Sequence, residues 1–299
     1  MNHRRLRVPG ALALFASLVA AVGGCGGAAD DDVTFSGPKG PSPDVDMGYE
    51  GRSFDAWVAR LEAKDAADRY AALVALAEFP EATTRLEGIE ARLADEVASV
   101  RWAALECLGR AGPAAGGASD AVVARLADPD RGVRRAAARA AGRLGSAAAP
   151  ALLARWAGSE DEPRALAKAA LLTIGAGLEP EVGSIGRQLS GDDPTLAEDA
   201  ADLLAAAGEP GAKELARALD DERSLTVVTA AAALGRMGAA GAQAVPALER
   251  TSARTGFVRE AVLDALKGLG EAGQKALERL AASPDADLAA AAKDRLAPR

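Results

Sequence analysis

The sequence predicts an all-α protein, a solenoid of about eight stacked helix pairs, from three observations. The stretch VRWAALECLGRAG at residues 100–112 returns as VRRAAARAAGRLG at 133–145, VVTAAAALGRMG at 227–238 and VREAVLDALKGLG at 258–270. Taking the arginine of the first stretch as position one, the equivalent residues Arg69, Arg101, Arg134, Arg164, Ala197, Val227, Arg259 and Ala289 follow one another at separations of 32, 33, 30, 33, 30, 32 and 30. Hydrophobic residues make up 49% of the chain but aromatics only 3%, so packing falls to Ala, Leu and Val on helices that approach closely.

Before the array, residues 1–24 read as a signal: Arg4, Arg5 and Arg7 precede an apolar stretch from Ala11 to Val22, too short for a span of roughly 20 residues. Val22, Gly23, Gly24 and Cys25 resemble the bacterial lipobox, in which cleavage exposes an acylated cysteine. That resemblance implies lipidation at Cys25 and a lipid anchor in the bacterial cell envelope. Gly26 is not acidic, which by the same resemblance favours the outer membrane, facing the periplasm. Removing residues 1–24 takes away three arginines and no acid, so the net charge moves from −8 to −11. Such an acidic product is a poor nucleic-acid binder, and none is expected as a partner. Residues 25–50, rich in Gly, Pro and Asp without an apolar period, read as a flexible spacer.

The repeat body runs from 51 to 299. Ser53 is placed to cap a first helix bearing Phe54, Trp57, Val58 and Leu61, and a second follows from about Ala66 to Phe79. Along the units, position four is Ala72, Ala104, Ala137, Ala167, Ala200, Ala230, Val262 or Ala292. Position eight, one turn on, is Leu in every unit but the third, where Ala141 stands. The small residue lets inner helices meet and the leucine fills the gap. Shorter outer helices carry their own stripes, such as Val122, Val123 and Leu126, Leu152 and Leu153, and Leu215 and Leu219. Trp57 and Trp156 fall on outer helices as inter-helix core. Turns written in Asp, Pro and Ser (Asp128 to Asp130, Asp192 to Pro194, Ser283 to Asp285) place a cap before each inner helix, and glycines at 112 and 238–241 separate units.

The run DPDRGVRRAAARAAGRLG resembles the HEAT-like repeat also found in bilin lyases of the phycobilisome, and the likeness extends over about residues 53–297. It implies a right-handed solenoid whose inner helices line a concave surface. It also implies that the turn aspartate pairs with the position-one arginine of its own unit, Asp130 with Arg134 and Asp161 with Arg164. Ala197 and Val227 depart from the pattern, so this ladder is expected to be interrupted at units five and six.

No catalytic residues are expected. The single histidine, His3, lies in the signal segment, which removes Ser-His-Asp and Cys-His chemistry, His-ligated zinc and the His-Glu metal motifs of deoxyhypusine hydroxylase, itself built of HEAT-like repeats. No Gly-Lys dipeptide of a phosphate-binding loop occurs, and no cofactor or metal is expected. Cys107 stands at position seven, where other units carry Ala75, Ala140, Ala170, Ala233 and Ala265, and reads as a small buried side chain.

Positions two and six of the inner helix vary: Tyr70/Val74, Trp102/Glu106, Arg135/Arg139, Ala165/Ala169, Glu198/Asp202, Val228/Ala232, Glu260/Asp264 and Ala290/Asp294. An aromatic and basic end grades into an acidic one. Aromatics and arginine anchor interfaces most often, so Tyr70, Trp102, Arg135 and Arg139 are the candidate contact patch for a protein partner. The competing reading packs Tyr70 and Trp102 against neighbouring helices and leaves the arginines solvated or paired locally. The function expected is a membrane-anchored, non-catalytic protein-binding scaffold. The alternative is a lyase-like or carboxylate-based enzyme, which a buried carboxylate pair in a closed pocket would favour.

Overall fold

The computed structural model describes Arg52 and residues 54–79, 86–159 and 161–297. The signal segment, Cys25, the spacer to residue 50 and the Ser53 cap lie outside the described residues. Helices alternate between two layers. The outer ones are α1 (Phe54–Arg60), α3 (Leu86–Ala91), α5 (Ser119–Ala124), α7 (Ala149–Gly158), α9 (Val182–Leu189), α11 (Glu209–Ala218), α13 (Val245–Thr251) and α15 (Glu271–Leu280). The inner ones are α2 (Ala66–Leu76), α4 (Ala98–Ala111), α6 (Arg131–Leu144), α8 (Asp161–Ile174), α10 (Pro194–Ala206), α12 (Ser224–Arg236), α14 (Phe257–Gly268) and α16 (Ala286–Leu296). Each inner helix packs on the next inner helix and on outer helices beside it. Among the described residues this makes an all-α solenoid of eight pairs.

The two repeated core positions behave alike in every unit. Position four is fully buried from Ala72 to Ala292, and position eight from Leu76 to Leu266, with Leu296 half-buried. One continuous apolar core therefore runs from Trp57 to Ala292. Small residues also bring backbones together. A Cβ on Gly235 would stand 2.9 Å from the Cα of Ala265, so α12 and α14 touch there with no side chain between them. Caps fall where the turn acids predict: Asp65, Asp130, Asp193 and Asp285 each accept from an N–H of the first turn of α2, α6, α10 and α16. Gly112 and Gly145 leave their inner helices at φ 59° and 74°, a left-handed turn that a Cβ would strain.

The arginine ladder differs from expectation. Asp130 spends its carboxylate on the N–H of Val133, and Asp161 opens α8 at φ 54°. Arg134 instead reaches Glu162 of the next unit, 2.7 Å away, and Arg164 reaches Asp193 at 3.3 Å. The same forward reach joins Arg69 to Asp95, Arg101 to Asp128 and Arg259 to Asp285. Each guanidinium also donates to carbonyls of its own turn; Arg101 takes those of Asp95 and Glu96 at 2.9 and 3.2 Å. One arginine thus closes its own turn and holds the turn of the following unit.

Units five and six keep the contact with the direction reversed. Ala197 and Val227, standing at position one, have no guanidinium to offer the carbonyls of the turn before them. Arg223 reaches back to the carbonyls of Ser190 and Gly191, and Arg254 to those of Asp221 and Glu222 at 3.0 and 3.3 Å. The ladder is continuous through Ala197 and Val227 because the following turn supplies the donor.

Arg101 and Asp128 are 8% and 5% exposed. Burial pushes the Asp128 carboxyl up, but the Arg101 hydrogen bonds, the Asp130 N–H and the charges of Arg101 and Arg125 together hold it below the usual carboxylate range; Asp95 is held down in the same way by Arg69, Val97 and Arg92. A carboxyl depressed in the folded state contributes stability that is present above its unfolded value of about 4 and is lost as pH falls through the lower folded value. Urea unfolding is therefore expected to show stability falling only below about pH 4. Arg101→Ala alone is expected to cost about 3 kcal/mol by stranding Asp128, while Arg101→Met with Asp128→Leu costs less and flattens the acid limb. Equal losses in the single and double variants would show that the pair is not what holds the turns.

Candidate functional site

Positions two and six of the inner helices form one face of the inner layer, adjoining the buried positions four and eight. Tyr70 on α2 and Trp102 on α4 are half-buried and packed against the core. Burial pushes the Tyr70 phenol up from its ordinary value. Arg135 and Arg139 on α6 are exposed. The four candidate residues therefore lie on three consecutive inner helices, two with their rings partly in the core and two exposed arginines of which Arg139 is paired with Glu106.

Acids on this face pair with the next inner helix. Glu78 meets Arg110 at 2.9 Å, Glu106 meets both Arg139 and Arg143, the latter at 3.4 Å, Asp202 meets Arg236 at 2.8 Å, and Asp264 meets Arg295 at 3.1 Å. Lys168 lies between Asp199 and Asp202 at 2.5 and 2.8 Å, and Asp199 also accepts from the Trp156 indole at 3.1 Å. Burial lowers the Lys168 ammonium, but its bonds to the two carboxylates outweigh this and hold it above its ordinary value, so it stays charged. Glu198 has no ion pair among the described residues, and Arg295 is shared by Glu260, Asp264 and Asp294, so carboxylates outnumber cations at that end of the face.

Sequence reasoning at positions two and six picked out Arg135 and Arg139 but not Arg131 and Arg143. All four are exposed and recur every fourth residue of α6. The signal was present in RGVRRAAARAAGR, where arginine at i, i+4, i+8 and i+12 makes a single ridge on a helix.

The buried carboxylates Asp95 and Asp128 sit one in each of two turns, each clamped by its own arginine and depressed, the opposite of what a general acid needs. A groove of about 320 Å³ between α9 and α11 is lined by Ser190, Glu214, Arg217 and Asp221, in which Ser190 donates to Asp221 and Arg217 to Glu214. Among the described residues no three His, Cys, Asp or Glu side chains gather to hold a metal ion, and no helix is long and apolar enough to cross a membrane. Cys107 is buried at position seven, like its alanine counterparts, and burial pushes its thiol up to about 12.

Residues 86–172 match the family model described as HEAT repeats. No curated protein matches the chain. Among solved structures, importin beta is 15% identical over 81% of this chain and 40% of its own, with a TM-score of 0.46. This chain thus spans well under half the length of importin beta. Human deoxyhypusine hydroxylase is 23% identical over 81% of this chain and 94% of its own, with a TM-score of 0.32. The CpcE and CpcF complex of phycocyanin lyase from Nostoc sp. PCC7120 is 21% identical over 90% of this chain and 98% of its own, with a TM-score of 0.35.

A thiol held near 12 offers almost no thiolate at neutral pH. In a full chain carrying Cys25→Ser, an aromatic disulfide reagent is expected to leave Cys107 unlabelled until guanidinium chloride unfolds the protein, when it labels fully. Rapid labelling of the folded chain would contradict the burial of this residue.

Proposed function

We propose that this solenoid is a non-catalytic protein-binding scaffold of HEAT type, anchored in the bacterial cell envelope by lipid on Cys25. The observation that carries the reading is the division of labour along each inner helix. Positions four and eight are small or leucine and buried in nearly every unit. Positions two and six change from aromatic and basic to acidic along the array, and most of them face solvent. A repeat that spends its constant residues on stacking leaves its variable ones to meet other molecules. Interfaces favour aromatic and arginine anchors, which supports Tyr70, Trp102, Arg135 and Arg139 as the contact patch.

The match of residues 86–172 to HEAT repeats supports a protein-interaction role for the face they carry. The basic start, short apolar run and Val22 to Cys25 motif support export and acylation. The anchor faces the periplasm, on the outer membrane by the character of Gly26. The net charge of −8 speaks against nucleic acid as the partner.

Two experiments test this. Radiolabelled palmitate is expected to enter the wild-type chain and not Cys25→Ala, which moves from the membrane to the soluble fraction; retention of Cys25→Ala on membranes would refute the anchor. Cross-linking in the native envelope is expected to capture proteins with the wild type that are lost with Trp102→Ala, Arg135→Glu and Arg139→Glu combined. An unchanged set of captured proteins from that folded variant would end the contact-patch reading.

A further inference from the structure

Four guanidiniums stand in a row on α6. Arg131, Arg135, Arg139 and Arg143 recur every fourth residue, so they climb about 6 Å per step and about 18 Å in all. All four are exposed; the side chains of Arg131, Arg139 and Arg143 are 69%, 46% and 40% open to solvent. Local acids do not balance them. Glu106 serves both Arg139 and Arg143. Glu162 is engaged by Arg134 at 2.7 Å and stands 3.8 Å from Arg131. Arg135 has no ion pair among the described residues; at its own level the neighbouring inner helices carry Trp102 and Ala165. Among the described residues four guanidiniums thus share two carboxylates and Arg135 has none, in a chain whose net charge is −8.

The surroundings select the shape of what can sit there. On the α8 side the exposed residues are uncharged, Ala165, Ala169, Leu172 and Thr173, and Lys168 beside them is taken up by Asp199 and Asp202. One helix further, α10 presents Glu198, exposed and without an ion pair among the described residues, and Asp202, shared by Lys168 and Arg236, while α14 presents Glu260 and Asp264, which have the single Arg295 between them. Inner helices pack at about 8–10 Å, so the carboxylates begin within about 20 Å of the ridge. A DNA duplex or a bilayer surface laid on the arginines would also cover those acids and be repelled by them. A single acidic chain lying along α6 would not.

We propose that the α6 ridge binds an acidic segment of a partner protein, its carboxylates meeting Arg131, Arg135, Arg139 and Arg143 while small or apolar side chains rest on the α8 floor. Carboxylates every fourth residue of a helix, or every second residue of a strand, match the interval of about 6 Å between the guanidiniums. The acidic units beyond α8 set the limit of the segment on one side, and Glu106 with Glu78 sets it on the other. This inference rests on the scaffold reading and specifies the partner's chemistry at that same patch.

The test uses the full chain in detergent and a fluorescein-labelled decapeptide of alternating glutamate and alanine, with binding followed by anisotropy. Binding is expected to weaken from low to moderate salt, to fall about tenfold with Arg131→Glu and Arg135→Glu together, and to survive Arg135→Lys and Glu198→Lys. Far-UV circular dichroism checks the fold, and Arg131→Gln with Arg135→Gln replaces the charge reversals if these fail to fold. Equal affinity of wild type and ridge variants for the peptide overturns the proposal. So does equal or tighter binding of a labelled oligothymidylate or of phosphatidylglycerol vesicles with the same dependence on the arginines. If cross-linked partners depend on Arg135 while the peptide does not, the acidic-segment inference fails and the scaffold reading stands; if captured proteins ignore the patch altogether, the contact-patch reading fails with it.

Discussion

An arginine that bridges two successive turns is the interaction on which the array depends. Arg69 and Arg101 lie buried at the base of their helices, each gripping an aspartate 26 or 27 residues ahead through two nitrogens while also donating to carbonyls of its own turn. Stacked helix pairs have no sheet hydrogen bonds to set the rotation of one unit on the next, and apolar packing is weakly directional. A charge-assisted fork is directional. It satisfies turn carbonyls and a buried carboxylate at once, so the same side chain closes one turn and orients its neighbour.

The constraint reappears where arginine is missing. In units five and six Ala197 and Val227 leave turn carbonyls without a donor from their own helix, and Arg223 and Arg254 reach back from the following turns to take them. Two chemically different routes arrive at one geometry, because a turn carbonyl facing the stack needs a donor whichever unit provides it. Near this stretch Leu225 and Phe257 are 60% and 65% exposed at equivalent places before position one.

Uniform stacking has a consequence for recognition. Positions four, seven and eight, and the glycine at which α12 and α14 touch, are occupied by the solenoid itself, so on the inner layer another molecule meets positions two and six and the exposed residues beside them. There the charges are sorted: guanidiniums in excess on α6, an α8 surface of Ala165, Ala169, Leu172 and Thr173 whose Lys168 and Glu162 are paired to neighbouring helices, and carboxylates in excess from α10 onward. Most acids on the face already lean on an arginine of the next helix, which leaves Arg135 as the guanidinium at mid-ridge whose neighbours at its own level are a tryptophan and an alanine.

Much of the architecture was legible in the residues alone. A small residue at position four and leucine at position eight, kept at intervals of 30 to 33, specify helices that pack on one face, and that local and repeated signal survives without any knowledge of distant neighbours. The caps at Asp130, Asp193 and Asp285, the inert setting of Cys107 and the core tryptophans on α1 and α7 follow from the same local logic. Ion-pair partners do not. Asp130 is nearest in sequence to Arg134, but a carboxylate already turned onto its own helix N–H groups cannot also meet that guanidinium, whereas stacking brings Glu162 beside it. The back-reaching Arg223 and Arg254, and the sharing of Glu106 by two arginines, were likewise decided only by folding. They depend on contacts between units about 30 residues apart, set by the packing of backbones rather than by the spacing of letters.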